Sequence, residues 1–136
     1  MVSTQTETIA RGYRPRPWIL EVVAVETALQ NSYTTVLDAD VSEWPETKLI
    51  VITNTHSSYA LVYKILGTVA ESPNPADWVT LVGASGLIKE VTVQPSSSDY
   101  QSTNLPWRRI QVRCRNETAD QAASVKVTLR SVLRSR

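Results

Sequence analysis

Toward the C-terminus, Ile110, Val112 and Cys114 alternate with Arg109, Gln111, Arg113 and Arg115, and Val125, Val127 and Leu129 alternate with Lys126, Thr128 and Arg130. A two-residue period buries one side of a strand and gives the other to solvent or a partner. The pattern therefore predicts two closing strands with a cationic outer side. Upstream, residues 18–27 form a β-branched run that predicts a strand, although the pattern alone would also fit a short helix. Residues 34–39 predict a short strand, and the apolar run at 48–54 predicts one covered on both faces. Tyr59, Leu61, Tyr63 and Ile65 then alternate with Ala60, Val62 and Lys64, which predicts a hairpin partner joined through a turn at 54–58 and ending at Gly67. Two more strands are expected at 78–82 and 87–94, around a turn at 83–86, while 41–47, 71–77 and 95–106 read as loops. About eight short antiparallel strands with turn chemistry between them predict an all-β chain, a single β-sandwich or jelly roll.

Residues 1–17 break this pattern. They are rich in Thr, Arg and Pro, and only Ile9 and Tyr13 offer apolar anchorage, so the segment cannot nucleate a core. The triplet Pro15-Arg16-Pro17 imposes extended geometry on its surroundings. The expected organisation is an extended N-terminal arm over 1–17, disordered or laid along a partner, followed by a sandwich domain over 18–136. Fully extended, such an arm reaches on the order of 50 Å.

The formal net charge is +1, but the total hides a segregation. Residues 1–16 carry +2, residues 17–107 carry −7 and residues 108–136 carry +6, and every arginine lies in a terminal block. Arginine presents a planar fork that pairs bidentately with carboxylate or phosphate and is less strongly hydrated than lysine, so clustered Arg suits an interface. Arg11, Tyr13, Arg14 and Arg16 in the arm, with Arg109, Arg113 and Arg115 in the penultimate strand, are the candidate partner-binding residues. Nucleic acid or an acidic protein surface, such as the middle block of a second copy, would answer these cations. The protein partner fits better, because nucleic-acid binders carry a clear basic excess and this chain does not. The plainer alternative is a solvated face whose charges find partners within the chain.

Catalytic chemistry has little to stand on. The sequence holds no Gly-x-Ser-x-Gly, no glycine-rich phosphate loop and no paired cysteines. His56, the only histidine, falls among turn residues with no orienting partner in view, and an exposed turn residue is its expected role. Asp38, Asp40 and Glu43 lack the glycine and terminal glutamate of a calcium loop and read as solvated turn residues. No enzyme activity, metal or cofactor is expected. Cys114, the only cysteine, falls on the apolar side of its strand and is expected to be a small buried hydrophobe. Asn116-Glu117-Thr118 matches a glycosylation acceptor but is read as a turn. Trp18, Trp44, Trp78 and Trp107 sit at loop-to-strand edges; they either plug the ends of the sandwich or, at Trp44 and Trp78, form an aromatic surface for a ligand such as a carbohydrate. No signal peptide opens the sequence and no apolar run nears the roughly 20 residues that cross a bilayer, so a protein without membrane contact, made in a host cytoplasm, is expected.

The succession Leu49-Ile50-Val51-Ile52-Thr53-Asn54-Thr55, then Tyr59 through Gly67, Asp77-Trp78-Val79-Thr80-Leu81, Trp107 through Arg113 and Val125 through Leu129 resembles small β-sandwich accessory proteins of tailed-phage virions, namely capsid decoration proteins and head fibres. The resemblance spans residues 48–129 and lies in strand and turn patterns rather than in signature residues. It implies a structural virion protein that forms a trimer or other ring, binds the major capsid protein or another virion protein, and cements neighbouring capsomers. Proteins of this kind are often acidic overall, and this chain departs from that. A carbohydrate-binding module or a tail-fibre adsorption protein is the alternative.

Overall fold

The computed structural model describes residues 3–11, 18–44, 47–81, 90–118 and 122–133. Among them are ten strands: β1 (Ser3–Arg11), β2 (Trp18–Leu29), β3 (Thr34–Asp40), β4 (Lys48–Asn54), β5 (Leu61–Thr68), β6 (Val79–Leu81), β7 (Val91–Val93), β8 (Ser98–Thr103), β9 (Arg109–Asn116) and β10 (Ala123–Leu133). A 3₁₀ turn, Pro75–Asp77, precedes β6. All strand pairs are antiparallel. They build one sheet in the order β1-β2-β10-β4-β8 and a second in the order β3-β9-β5-β6, with β7 also paired to β5. The short strands β6 and β7 share one edge of β5, at Ile65–Gly67 and Leu61–Tyr63 respectively. With β1 set aside, β2-β10-β4-β8 facing β3-β9-β5-β6/β7 is the strand order of a jelly roll.

The alternation predicted for the C-terminal strands is realised. Ile110, Val112 and Cys114 of β9 and Val125, Val127 and Leu129 of β10 are all buried. They meet Ile50 and Ile52 of β4 and Leu61, Tyr63 and Ile65 of β5 in one core. Each such side chain contributes about 1.5–3 kcal/mol on leaving water. Cys114 is buried as expected, and burial pushes its thiol pKa up.

Several expectations change. β4 is covered on one face only, with Leu49 exposed and Val51 and Thr53 half-buried on its outer side. The 54–58 turn does not make a hairpin: β4 and β5 lie in opposite sheets. Alternation reports which side of a strand is buried, and it is the same whether the next strand lies beside it or across the core. Asn54, fully buried, ties this corner, donating to the carbonyls of Tyr59 (2.8 Å) and Val93 (3.1 Å) and accepting the His56 N–H (3.0 Å). His56 is half-buried within the corner, its Nδ1 accepting the N–H groups of Ser58 and Tyr59.

Next, the polar stretch expected as a loop contains β8, paired to β4. Its inward row is Asp99, Gln101 and Thr103, and these polar groups are matched from within. Tyr63 Oη donates to Asp99 Oδ2 at 2.5 Å and accepts from Gln101 Nε2 at 3.2 Å, while Trp107 Nε1 donates to Thr103 Oγ1 at 3.1 Å.

Residues 3–11, part of the extended arm expected to be disordered or laid along a partner, pair along β2 of the same chain as its outer neighbour. Thr4, Thr6 and Thr8 favour extended backbone, and β2 offers an edge whose N–H and C=O groups need partners. Finally, β9 and β10 belong to different sheets, so their cationic rows occupy opposite outer faces and do not merge.

Candidate interaction surface

On the outer face of the sheet built on β9, the alternate positions Arg109, Gln111, Arg113 and Arg115 stand in a row, half-buried. Pairing places Asp38 of β3 beside Gln111, and Lys64 of β5 beside Arg113. Tyr33, just ahead of β3, completes the group next to Arg115. Arg109 Nη2 meets Asp38 Oδ1 at 2.6 Å, and Gln111 Nε2 donates to Asp38 Oδ2 at 3.0 Å. Arg113 donates through Nε (3.2 Å) and Nη2 (2.8 Å) to Gln111 Oε1, so its orientation is fixed by a neutral amide.

Arg115 and Lys64 both turn to one aromatic ring. Lys64 Nζ lies 4.2 Å and Arg115 Cζ 5.5 Å from the Tyr33 ring centroid, within cation–π range. Tyr33 Oη is buried, with Glu90 and Arg115 as its polar neighbours. Burial pushes its phenol pKa up; Glu90 adds to the rise and Arg115 opposes it. Salt bridges among the described residues join Arg109 to Asp38, Arg108 to Glu71 at 3.6 Å and Arg130 to Glu21 at 4.0 Å. Lys64, Arg113 and Arg115 are in none of them.

The predicted site residues thus separate. Arg109 is neutralised within the chain, Arg113 and Arg115 share a face with Lys64, and Arg11 ends β1 opposite Trp18. Tyr13, Arg14 and Arg16 lie outside the described residues. Sequence reasoning missed Lys64, Tyr33 and Gln111, because only the pairing of β5 and β3 with β9 brings them to the arginines. A lysine at the polar phase of an otherwise apolar strand was the one available signal for Lys64.

Of the aromatic candidates, Trp44 packs against the core and with Trp107 helps close one end of the sandwich. Trp78, half-buried, follows the 3₁₀ turn. Tyr100, not singled out from sequence, is 69% exposed on the outer face of the other sheet, beside Val51. Between the edges of β6 and β8 lies a half-open groove of about 420 Å³, floored by Ile50 and Ile65 and walled by Leu81, Gln101, Thr103 and Leu105. Asp40, one of the three acids considered for metal, has its carboxyl pKa lowered by hydrogen bonds from the Ser42 hydroxyl and N–H. No group of three metal-ligating side chains occurs among the described residues, and no helix is long and apolar enough to cross a membrane.

No family model matches the chain, and no curated protein matches it. Solved structures are similar in fold. The crystal structure of PirA aligns with a TM-score of 0.51 at 16% identity, over 79% of this chain and 90% of that one. The SPBc2 prophage-derived protein YomS aligns with a TM-score of 0.44 at 9% identity, over 96% of each chain. A carbohydrate-binding module of the β-sandwich superfamily aligns with a TM-score of 0.40 at 11% identity, over 93% of this chain and 51% of that one.

Proposed function

We propose that this chain is a structural protein of a tailed-phage virion, a jelly roll without catalytic activity that assembles as a trimer and seats on the major capsid protein as a decoration protein. The supporting observation is the outer face of the β9 sheet. There a rigid strand ladder holds Lys64, Arg113 and Arg115 together, half-buried and with no carboxylate pairing them among the described residues. Burying charge without a counter-charge is unfavourable, and a surface that tolerates it within one chain gains from a partner that supplies the opposite sign. Polypeptide surfaces of a virion offer that partner, and the fold serves as a spacer that presents the face.

The purified chain is expected to run at three times its own mass in light scattering and to add regular surface density to capsids of the phage whose genome carries it, in negative-stain images. A monomer that leaves those capsids bare at low ionic strength removes the reading. A second reading, carbohydrate binding, draws on the exposed Tyr100, since an aromatic ring on a flat sheet face can stack on a sugar. Binding on a glycan array that disappears in Tyr100→Ala would favour it.

A further inference from the structure

We infer that the outer side of β9 is a docking strip for an extended acidic segment of a protein partner, one that carries carboxylates at every second residue. The inference rests on the surface-binding reading only in taking the occupant to be a protein; the strip itself follows from spacing and charge. Side chains two apart on a strand repeat at about 6.6–6.8 Å along one face, which is the separation of successive positions such as 113 and 115. An extended partner segment has the same repeat, so a Glu-x-Glu or Asp-x-Asp sequence lying along β9 meets Arg113 and Arg115 in register. The strip starts at Arg113 because Arg109 is already matched by Asp38.

Lys64 stands beside Arg113 across the β5–β9 pair and adds a third cation at the same level. The Gln111 amide holds the Arg113 fork through Nε and Nη2, which leaves Nη1 to face an incoming carboxylate. Arg115 and Lys64 are steadied against the Tyr33 ring. Their cationic heads are thereby positioned before any partner arrives, which reduces the ordering cost of binding. The same two contacts occupy the ring and so disfavour stacking by a sugar or a base. Glu90 is the acidic neighbour of Tyr33, but it makes no salt bridge to Arg115.

The test uses the full chain and two synthetic peptides, Thr-Glu-Val-Glu-Thr-Glu and its Gln-for-Glu counterpart, followed by backbone amide NMR and titration calorimetry. The acidic peptide is expected to shift amides of residues 62–64 and 113–115 and the Gln peptide to leave them unmoved. Arg113→Gln and Arg115→Gln should each weaken binding by about tenfold, the loss of one charge-assisted contact. Lys64→Gln should weaken it less, and Arg130→Gln, on the opposite face, should not change it. Thermal melts of each variant confirm folding. Equal binding of both peptides, or equal weakening by Arg130→Gln, overturns the proposal. So does a single-stranded oligonucleotide or heparin that displaces the peptide while binding the same residues more tightly, since that outcome makes the strip a polyanion site. Peptide binding without capsid decoration retires the virion reading and keeps the strip, and decoration without peptide binding does the reverse.

Discussion

Replacing Gly67 with alanine is expected to lower the stability of the fold by about 1–3 kcal/mol, the usual cost of forcing an extra methyl group into a packed interior. A Cβ built at Gly67 would fall 2.6 Å from Cδ2 and 2.7 Å from Cε3 of Trp107, well inside van der Waals contact. The indole cannot simply swing away. Its Nε1 is held by Thr103 Oγ1 at 3.1 Å, and its backbone N–H by the Leu105 carbonyl at 2.9 Å. The next residue continues the clamp, with the Arg108 N–H donating to the Thr68 carbonyl at 2.8 Å.

Gly67 therefore serves close approach: β5 runs so near the indole that no side chain fits between them. At a conversion of about 3–4 °C per kcal/mol for a domain of this size, Gly67→Ala should melt several degrees lower in calorimetry. Trp107→Leu should relieve the clash, so the double variant should be more stable than the two separate losses predict. Unchanged melting of Gly67→Ala would mean that the indole yields freely, and the close contact would then contribute nothing.

The second large effect is a loss of stability in alkali. Cys114 and Tyr63 are buried, and burial raises both pKa values above their ordinary values of 9.0 and 10.0. For Tyr63 the hydrogen bond to Asp99 adds to the rise, because an ionised phenol could not donate it. Both groups are neutral when protonated, and the folded chain keeps its protons to higher pH than the unfolded chain. Their contribution is fully present below the unfolded values and falls as pH climbs past 9.0 for the thiol and 10.0 for the phenol. Each group adds a slope of up to about 1.4 kcal/mol per pH unit while only the unfolded state releases its proton.

Urea unfolding at intervals between pH 8 and pH 11 should therefore show free energy falling progressively more steeply. Cys114→Ala should remove the earlier part of the fall, and Tyr63→Phe the later part. Both variants start lower at neutral pH, the first through a small cavity and the second because Asp99 and Gln101 lose a partner. A double variant whose profile runs parallel to that of the parent chain would show that the two groups do not govern the alkaline limb.

Where burial alone decides, the chain was legible from its residues. The alternation of Ile110, Val112 and Cys114, and of Val125, Val127 and Leu129, identified two strands and their inner sides, because a period of two has only one buried solution. The tier of each strand was not legible: β4 and β5 look like a hairpin in sequence and are separated by the whole core. β8 was missed because Asp99, Gln101 and Thr103 face inward, and only Tyr63 and Trp107, 36 and 4 residues distant, make that orientation tolerable. The candidate site was half legible. Arg113 and Arg115 were found from charge, but their separation from Arg109 depends on Asp38 and their enlargement on Lys64, and both facts belong to strand pairing.

β10 lies between β2 and β4, at the centre of its sheet, although it follows every other described strand in the chain. A ribosome-bound chain that has released everything up to β9 still has two strands with no mate between them, so this sheet cannot close before β10 emerges. Completion waits for residues 123–133 to leave the exit tunnel. The non-local pairing then required places folding on the slower scale of all-β proteins, milliseconds to seconds. Premature termination before residue 123 leaves the facing edges of β2 and β4 bare, and such edges invite aggregation.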